Sequence, residues 1–214
     1  MSARLIYVMD PMCSWCWGFA PVMQALAEQA ANRGVGLHLV VGGLRRERTP
    51  MDEAGRRRTL AYWQAVHEAS GQPFDFVAGL PEGLVYDTEP ACRALVAARQ
   101  LEAECTWPLA LLIQQAFYTR SEDVTQPARL VELAERTGLA RDAFAECFDA
   151  GTTREATAAD FAWAGNLGIA GFPTVLAERD GQLALLTNGY QPLAALAPLL
   201  ARWLARWLER GAHG

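Results

Sequence analysis

The apolar positions of this 214-residue chain follow two rhythms. Leu5-Ile-Tyr-Val-Met9 is an unbroken apolar run that stops at Asp10-Pro11, the length and flanks of a buried strand. From Cys13 to about Arg33 the apolar residues move to helical spacing, at Phe19, Val22, Met23, Leu26 and Ala30, and Asn32-Arg33-Gly34 supplies the glycine that follows a helix C-terminus. Leu37-His-Leu-Val-Val41 is a second strand-like run, stopped by Gly42-Gly43. Strand, helix, strand predicts a βαβ unit with parallel strands and a right-handed crossover.

After Gly43 the pattern stays helical for more than a hundred residues. Asp52 to His67 is charged and helix-prone, Ser70-Gly-Gln-Pro73 breaks it, and Asp75 to Tyr86 reads as an irregular excursion. Asp87-Thr88-Glu89-Pro90 predicts a helix start, with a capping side chain and proline in the first turn, leading into Ala91 to Ala103. Thr106-Trp-Pro108 repeats that logic before Leu109 to Phe117. Helices are further expected from Gln126-Pro127 to Arg136, from Arg141 to Phe148 and from Thr153 to Leu167.

Strand character returns at Pro173-Thr-Val-Leu-Ala177, and the Asp180-Gly181 turn before Leu183-Ala-Leu-Leu186 predicts a hairpin. The last helix carries a stripe of Leu193, Leu196, Leu199, Leu200, Trp203, Leu204, Trp207 and Leu208 at i, i+3, i+4, i+7 spacing. Arg202, Arg206 and Arg210 opposite the tryptophans also fit a membrane-surface helix, but the hairpin beside it needs a cover, so core packing is expected. The order is β-α-β, a helical block, β-β-α. Residues 1–50 and 168–214 are expected to form an α/β domain, and 51–167 an all-helical insertion between its second and third strands.

Composition narrows the function classes. Hydrophobic residues make up 51% and charged residues 20%, ordinary globular usage with no bilayer-length apolar run. A net charge of −5 argues against a general nucleic-acid binder, which needs a basic face. The first nine residues enter the strand pattern directly, without the charged segment, apolar core and cleavage site of a secretory signal. Of five cysteines only Cys13 and Cys16 are closely spaced, unlike a secreted disulfide framework, so a cytoplasmic setting is expected.

Cys13 falls at or just before the first turn of its helix, where unpaired N–H groups and the macrodipole favour a negative charge and enrich the nucleophilic thiolate. Cys16 lies one turn on, on the same face, close enough to close a disulfide. Cys13 would attack a partner sulfur and Cys16 would resolve the mixed disulfide. A zinc site is disfavoured, because there is no second Cys-x-x-Cys and His38, His67 and His213 are not at ligand spacing. The bland alternative is a pair of structural, reduced cysteines. Cys92, Cys105 and Cys147 lie in the helical block and read as small buried hydrophobes.

The second motif is Gly171-Phe172-Pro173-Thr174, where the third strand begins. From the residues alone, Pro173 is either an ordinary strand-opening proline or one with a cis bond to Phe172. Met12, Trp15, Trp17 and Phe172 flank the site and could form an apolar docking surface, with Trp17 expected to turn inward and Trp15 outward.

Together, Cys13-Ser-Trp-Cys16-Trp-Gly-Phe after Asp10-Pro11, Phe172-Pro173-Thr174 and the element order resemble the thioredoxin fold with the helical insertion of DsbA-type oxidoreductases. The Cys13 motif and Asp10-Pro11 particularly resemble the cytosolic FrnE-like, or predicted protein-disulfide-isomerase, branch. It implies that Pro173 is cis and faces the Cys13–Cys16 pair, and that the Phe172 backbone pairs with an extended substrate segment, placing Thr174 in the substrate path. It also implies a thiol-disulfide oxidoreductase whose redox equivalents reside in its two sulfurs, with no bound cofactor, glutathione as a candidate co-substrate and an unidentified recycling partner. Protein or small-molecule disulfides would be substrates, no nucleic acid or membrane is implied, and monomer and homodimer both stay open.

Two departures matter. Ser14-Trp15 replaces the Pro-His of the strongly oxidising periplasmic members, and Tyr7 stands six residues before Cys13, where thioredoxin-like proteins often bury a carboxylate. The insertion pattern is also similar to kappa-class glutathione transferases and hydroxychromene-carboxylate isomerases, in which a serine usually replaces the first cysteine. Some DsbA-like cytosolic proteins resemble non-catalytic adaptors, the third possibility.

Overall fold

The structure is a computed structural model that describes residues 3–211, with side chains through residue 206. Strand β1 (Ala3–Met9) alternates two buried faces. Leu5, Tyr7 and Met9 join the main core, whereas Ile6 and Val8 join a smaller cluster on the opposite face of the sheet. Helix α1 (Ser14–Ala31) follows and buries Cys16, Phe19, Ala20, Met23, Leu26 and Ala30 over the main-core face. Strand β2 (Gly36–Val41) then pairs with β1 in parallel, from Arg4 opposite Gly36 to Met9 opposite Val41.

Between β2 and β3 the described residues contain only helices: α2 (Glu53–Ser70), α3 (Glu89–Leu101), a short 3₁₀ turn, α4 (Thr106–Arg120), α5 (Pro127–Glu135), α6 (Arg141–Asp149) and α7 (Gly151–Asn166). The block is fastened to the sheet at both ends. On α1, a Cβ at Gly18 would come 2.6 Å from Val66 of α2, so glycine permits that close approach. On the other face, Asp160 of α7 accepts from the Val41 backbone and pairs with Arg99, while Ala164 and Trp163 pack on Ile6, Val8 and Val40. The final helix of the block thus covers the second face of the sheet.

Strand β3 (Thr174–Arg179) runs antiparallel to β1, and β4 (Gln182–Asn188) antiparallel to β3, giving the sheet order β2-β1-β3-β4. Asp180 and Gly181 turn the hairpin at positive φ, 49° and 80°. Helix α8 (Leu193–Gly211) packs on α1 and β4 through buried Leu196, Leu200 and Leu204, so the covering role expected of its stripe is what the fold uses. Leu193 and Leu199 stay exposed, and the Trp207, Leu208 and Arg210 side chains and His213 lie outside the described residues.

The side chain at the start of α3 that accepts from its first turn is Asp87, from the Glu89 backbone at 3.1 Å, whereas the Thr88 hydroxyl, next to the helix, makes no cap bond. Thr88 is drawn off because a buried carboxylate competes for its proton, as the site shows.

Candidate active site

Cys13 takes the N-cap position of α1, with extended backbone angles (φ −87°, ψ 116°), and its carbonyl accepts from the Cys16 backbone at 3.0 Å and the Trp17 backbone at 3.2 Å. Its thiol donates to the Phe172 carbonyl at 3.7 Å. The Phe172–Pro173 bond is cis, and Gly189 donates to the Pro173 carbonyl at 2.7 Å. The two motifs, 159 positions apart, therefore meet at one sulfur.

The two sulfurs differ in access. Both cysteines are free thiols; Cys13 keeps 6% exposure and Cys16 none. Burial pushes the Cys16 thiol well above its ordinary range, and the neighbouring Cys13 adds to the shift. Burial raises the Tyr7 phenol well above its ordinary range, and the neighbouring Cys16 thiol adds to the shift. The Trp63 indole and the Gln114 amide are buried without a hydrogen-bond partner among the described residues. Tyr118 of α4 stacks on Trp17 of α1 at 6.0 Å, and Tyr7 of β1 packs edge-on to Trp107 of α4 at 5.9 Å.

The loop before Cys13 is held by Asp10. This wholly buried carboxylate accepts from the Met12 backbone at 2.8 Å, the Leu44 backbone at 2.7 Å, the Thr88 hydroxyl at 2.6 Å and the Cys92 thiol at 3.4 Å. Burial raises its proton affinity above the ordinary carboxylate value, and these four donors offset part of that. The sequence flagged Asp10 as a motif residue but not its distant partners Leu44, Thr88 and Cys92, which lie 34 to 82 positions away.

The remaining candidates divide. Trp15 is half-buried against Tyr190, ring centroids 5.7 Å apart, and Tyr190 was not anticipated. Phe172 is half-buried over Gly42, whose missing Cβ would sit 2.0 Å from the ring. Trp17 turns inward as expected and donates to the Pro73 carbonyl at 2.9 Å. Met12 and Thr174 do not offer their side chains to a docking surface. Met12 is wholly buried, its carbonyl accepting from Tyr86 at 2.5 Å, and Thr174 is 1% exposed and bonded to Gly171 and Asn188.

Cys92, Cys105 and Cys147 each donate to an oxygen of their own surroundings, on Asp10, Thr137 and Gln100. Among the described residues no group of three or more His, Cys, Asp or Glu is placed to hold a metal ion, and no helix is long and apolar enough to cross a membrane.

Comparison with known proteins identifies the family and the fold. The family described as DSBA-like thioredoxin domain matches residues 4–201. A candidate protein disulfide isomerase from Nitrosomonas europaea is 39% identical, with a TM-score of 0.90 over 96% of this chain and 99% of that one. The cytosolic disulfide reductase DsbM from Pseudomonas aeruginosa is 28% identical, with a TM-score of 0.75 over 99% and 100%, and has also been solved with GSH. A 2-hydroxychromene-2-carboxylate isomerase, 15% identical with a TM-score of 0.61 over 98% of each chain, shares the fold alone. No curated protein matches the chain.

Proposed function

As the chain belongs to the DSBA-like thioredoxin domain family, we propose that it is a thiol-disulfide oxidoreductase that works through Cys13 and Cys16. The observation that carries the reading is the Cys13 sulfur, at a helix N-cap and 3.7 Å from the carbonyl that precedes Pro173.

In the reducing direction the Cys13 thiolate attacks one sulfur of a substrate disulfide. The substrate S–S bond breaks, its second sulfur leaves as a thiolate and takes up a proton, and Cys13 holds the first in a mixed disulfide. Cys16 then loses its proton and attacks the Cys13 sulfur, releasing the remaining substrate thiol and leaving a Cys13–Cys16 disulfide. Two electrons have passed from the dithiol to the substrate. The Phe172 main chain, beside the attacked sulfur, would align an extended substrate segment, with Trp15 and the Phe172 ring as its apolar border. Regeneration would consume two glutathione molecules and release oxidised glutathione, needing no bound cofactor. The reductase named among the relatives supports this direction and a reducing, cytoplasmic setting.

The likeness to the isomerase reaches only the fold, and retention of both cysteines favours exchange over glutathione-transferase chemistry. The test is catalysed insulin reduction with glutathione as reductant, by the wild type and by Cys13→Ser. Loss of turnover in the variant is expected; wild-type turnover in Cys13→Ser would overturn the reading.

A further inference from the structure

We infer that Asp10 is a positioning residue for the redox pair: it holds one buried negative charge next to both sulfurs, so that the dithiol gives up its electrons more readily. The inference rests on the oxidoreductase reading and adds to it the direction in which the pair is biased.

The Asp10 main chain touches both cysteines. Its carbonyl accepts from the Cys13 backbone at 3.0 Å, closing the turn that opens α1, and its N–H bonds to the Cys16 sulfur. The ends of such a turn lie within about 7 Å of each other, which keeps the carboxylate close to the pair. Its two oxygens each accept a main-chain N–H, Oδ1 from Met12 at 2.8 Å and Oδ2 from Leu44 at 2.7 Å, the arrangement of an ionised carboxylate. Burial and Cys13 hold the Cys16 thiol in its protonated form, and the Asp10 charge adds to them.

This charge has no cation. Asp10 is wholly buried, and its remaining partners, the Thr88 hydroxyl and the Cys92 thiol, are neutral. It makes no ion pair among the described residues, whereas Asp160 pairs with Arg99 and Glu89 with Arg93. The cation on the neighbouring segment, Arg45, lies over the Tyr86 ring, 4.7 Å from its centroid. Burial keeps Tyr86, Cys92 and Tyr118 protonated, so these neighbours bring no charge of their own. A buried carboxylate held only by neutral donors is costly, and groups of this kind concentrate at functional sites.

The charge acts on one redox state alone. Thiolate belongs to the reduced form, while the disulfide is neutral. A like charge beside the sulfurs therefore raises the energy of the reduced form and leaves the disulfide unchanged, which favours electron donation. The N-terminus of α1 pulls the other way, but the Met12 and Cys13 N–H groups at that end are already taken by Asp10.

The experiment equilibrates the full chain with reduced and oxidised glutathione at pH 8, then quantifies the Cys13–Cys16 dithiol by mass spectrometry after acid quenching. In this exchange the dithiol gives two electrons and two protons to oxidised glutathione, whose S–S bond breaks to two thiols as the Cys13–Cys16 bond forms. Asp10→Asn keeps an oxygen for the Met12 N–H and loses the charge. It moves the equilibrium about tenfold toward the dithiol, about 30 mV in the oxidising direction. The shift fades towards pH 5, where thiols hold their protons in both proteins. Asp10→Ser, a second neutral acceptor, gives the same shift and carries the test if the amide is not tolerated. Thr88→Val removes a donor but keeps the charge, so it stays within about twofold of the wild type. No shift in the neutral variants, a shift toward the disulfide, or an equal shift in Thr88→Val would overturn the inference. Failure of the wild type to exchange with glutathione at all would instead overturn the oxidoreductase reading.

Discussion

The Cys13 sulfur rests 3.7 Å from the Phe172 carbonyl oxygen, although the two residues are 159 positions apart. That contact joins the N-terminus of α1 to the start of β3 and makes the more accessible of the two sulfurs the meeting point of both motifs. Cys16, one turn on and buried, can reach substrate only through Cys13.

The burial of Cys16 sets a pH dependence. Its thiol is held well above the ordinary range, so at neutral pH only a small fraction is thiolate. Resolution of a preformed Cys13 mixed disulfide should therefore accelerate about tenfold per pH unit between pH 6 and 8. The Tyr7 hydroxyl, next to the Cys16 thiol, is placed to donate to the emerging thiolate. Tyr7→Phe should slow resolution by about tenfold, because the thiolate loses that donor. Stopped-flow resolution of the preformed mixed disulfide checks this, and unchanged resolution in Tyr7→Phe would count against Tyr7.

Gly42 gives the Phe172 ring its seat. A Cβ there would stand 2.0 Å from the ring, so Gly42→Ala must displace it, at a cost of about 1–3 kcal/mol, with slower attack on disulfides. Gly36→Ala, whose Cβ meets nothing within 4 Å, is the matched control. Identical melting and exchange rates for the two variants would show that the ring's position does not matter.

Local signals carried the element order far into the structure. Buried runs ending at Asp10-Pro11 and Gly42-Gly43, the Asp180-Gly181 turn and the leucine spacing of α8 all act within a few residues, and each element appears where its signal lies. The candidate site was legible where its motifs are local, at Cys13-x-x-Cys16 and Phe172-Pro173. Tyr190 against Trp15, Tyr86 on the Met12 carbonyl and Thr88 on Asp10 depend on contacts across 74 to 175 positions, and no local pattern announces them. Met12 misled for the same reason: an apolar residue beside a reactive cysteine looks like docking surface until the helical block buries it.

Asp10 carries its own pH signature. Its folded-state proton affinity is raised above the ordinary value of 3.8, so the folded chain keeps that proton to higher pH than the unfolded chain. The associated stability is fully present below about 3.8 and is lost as pH rises through the folded value. Asp10→Asn abolishes that titration and turns an amide N–H₂ toward donors on Leu44 or Thr88, costing about 1–3 kcal/mol near pH 4. The deficit should shrink towards pH 8; in denaturant titrations at both pH values, a deficit that grows with pH would contradict the assignment.

The most direct test of the whole account is to expose Cys16→Ser to oxidised glutathione and map the adduct by peptide mass spectrometry. A single persistent glutathionyl group on Cys13 is the expected result, because the resolving thiol is gone. An adduct confined to Cys92, Cys105 or Cys147, or none at all while the wild type still exchanges disulfides, would contradict it.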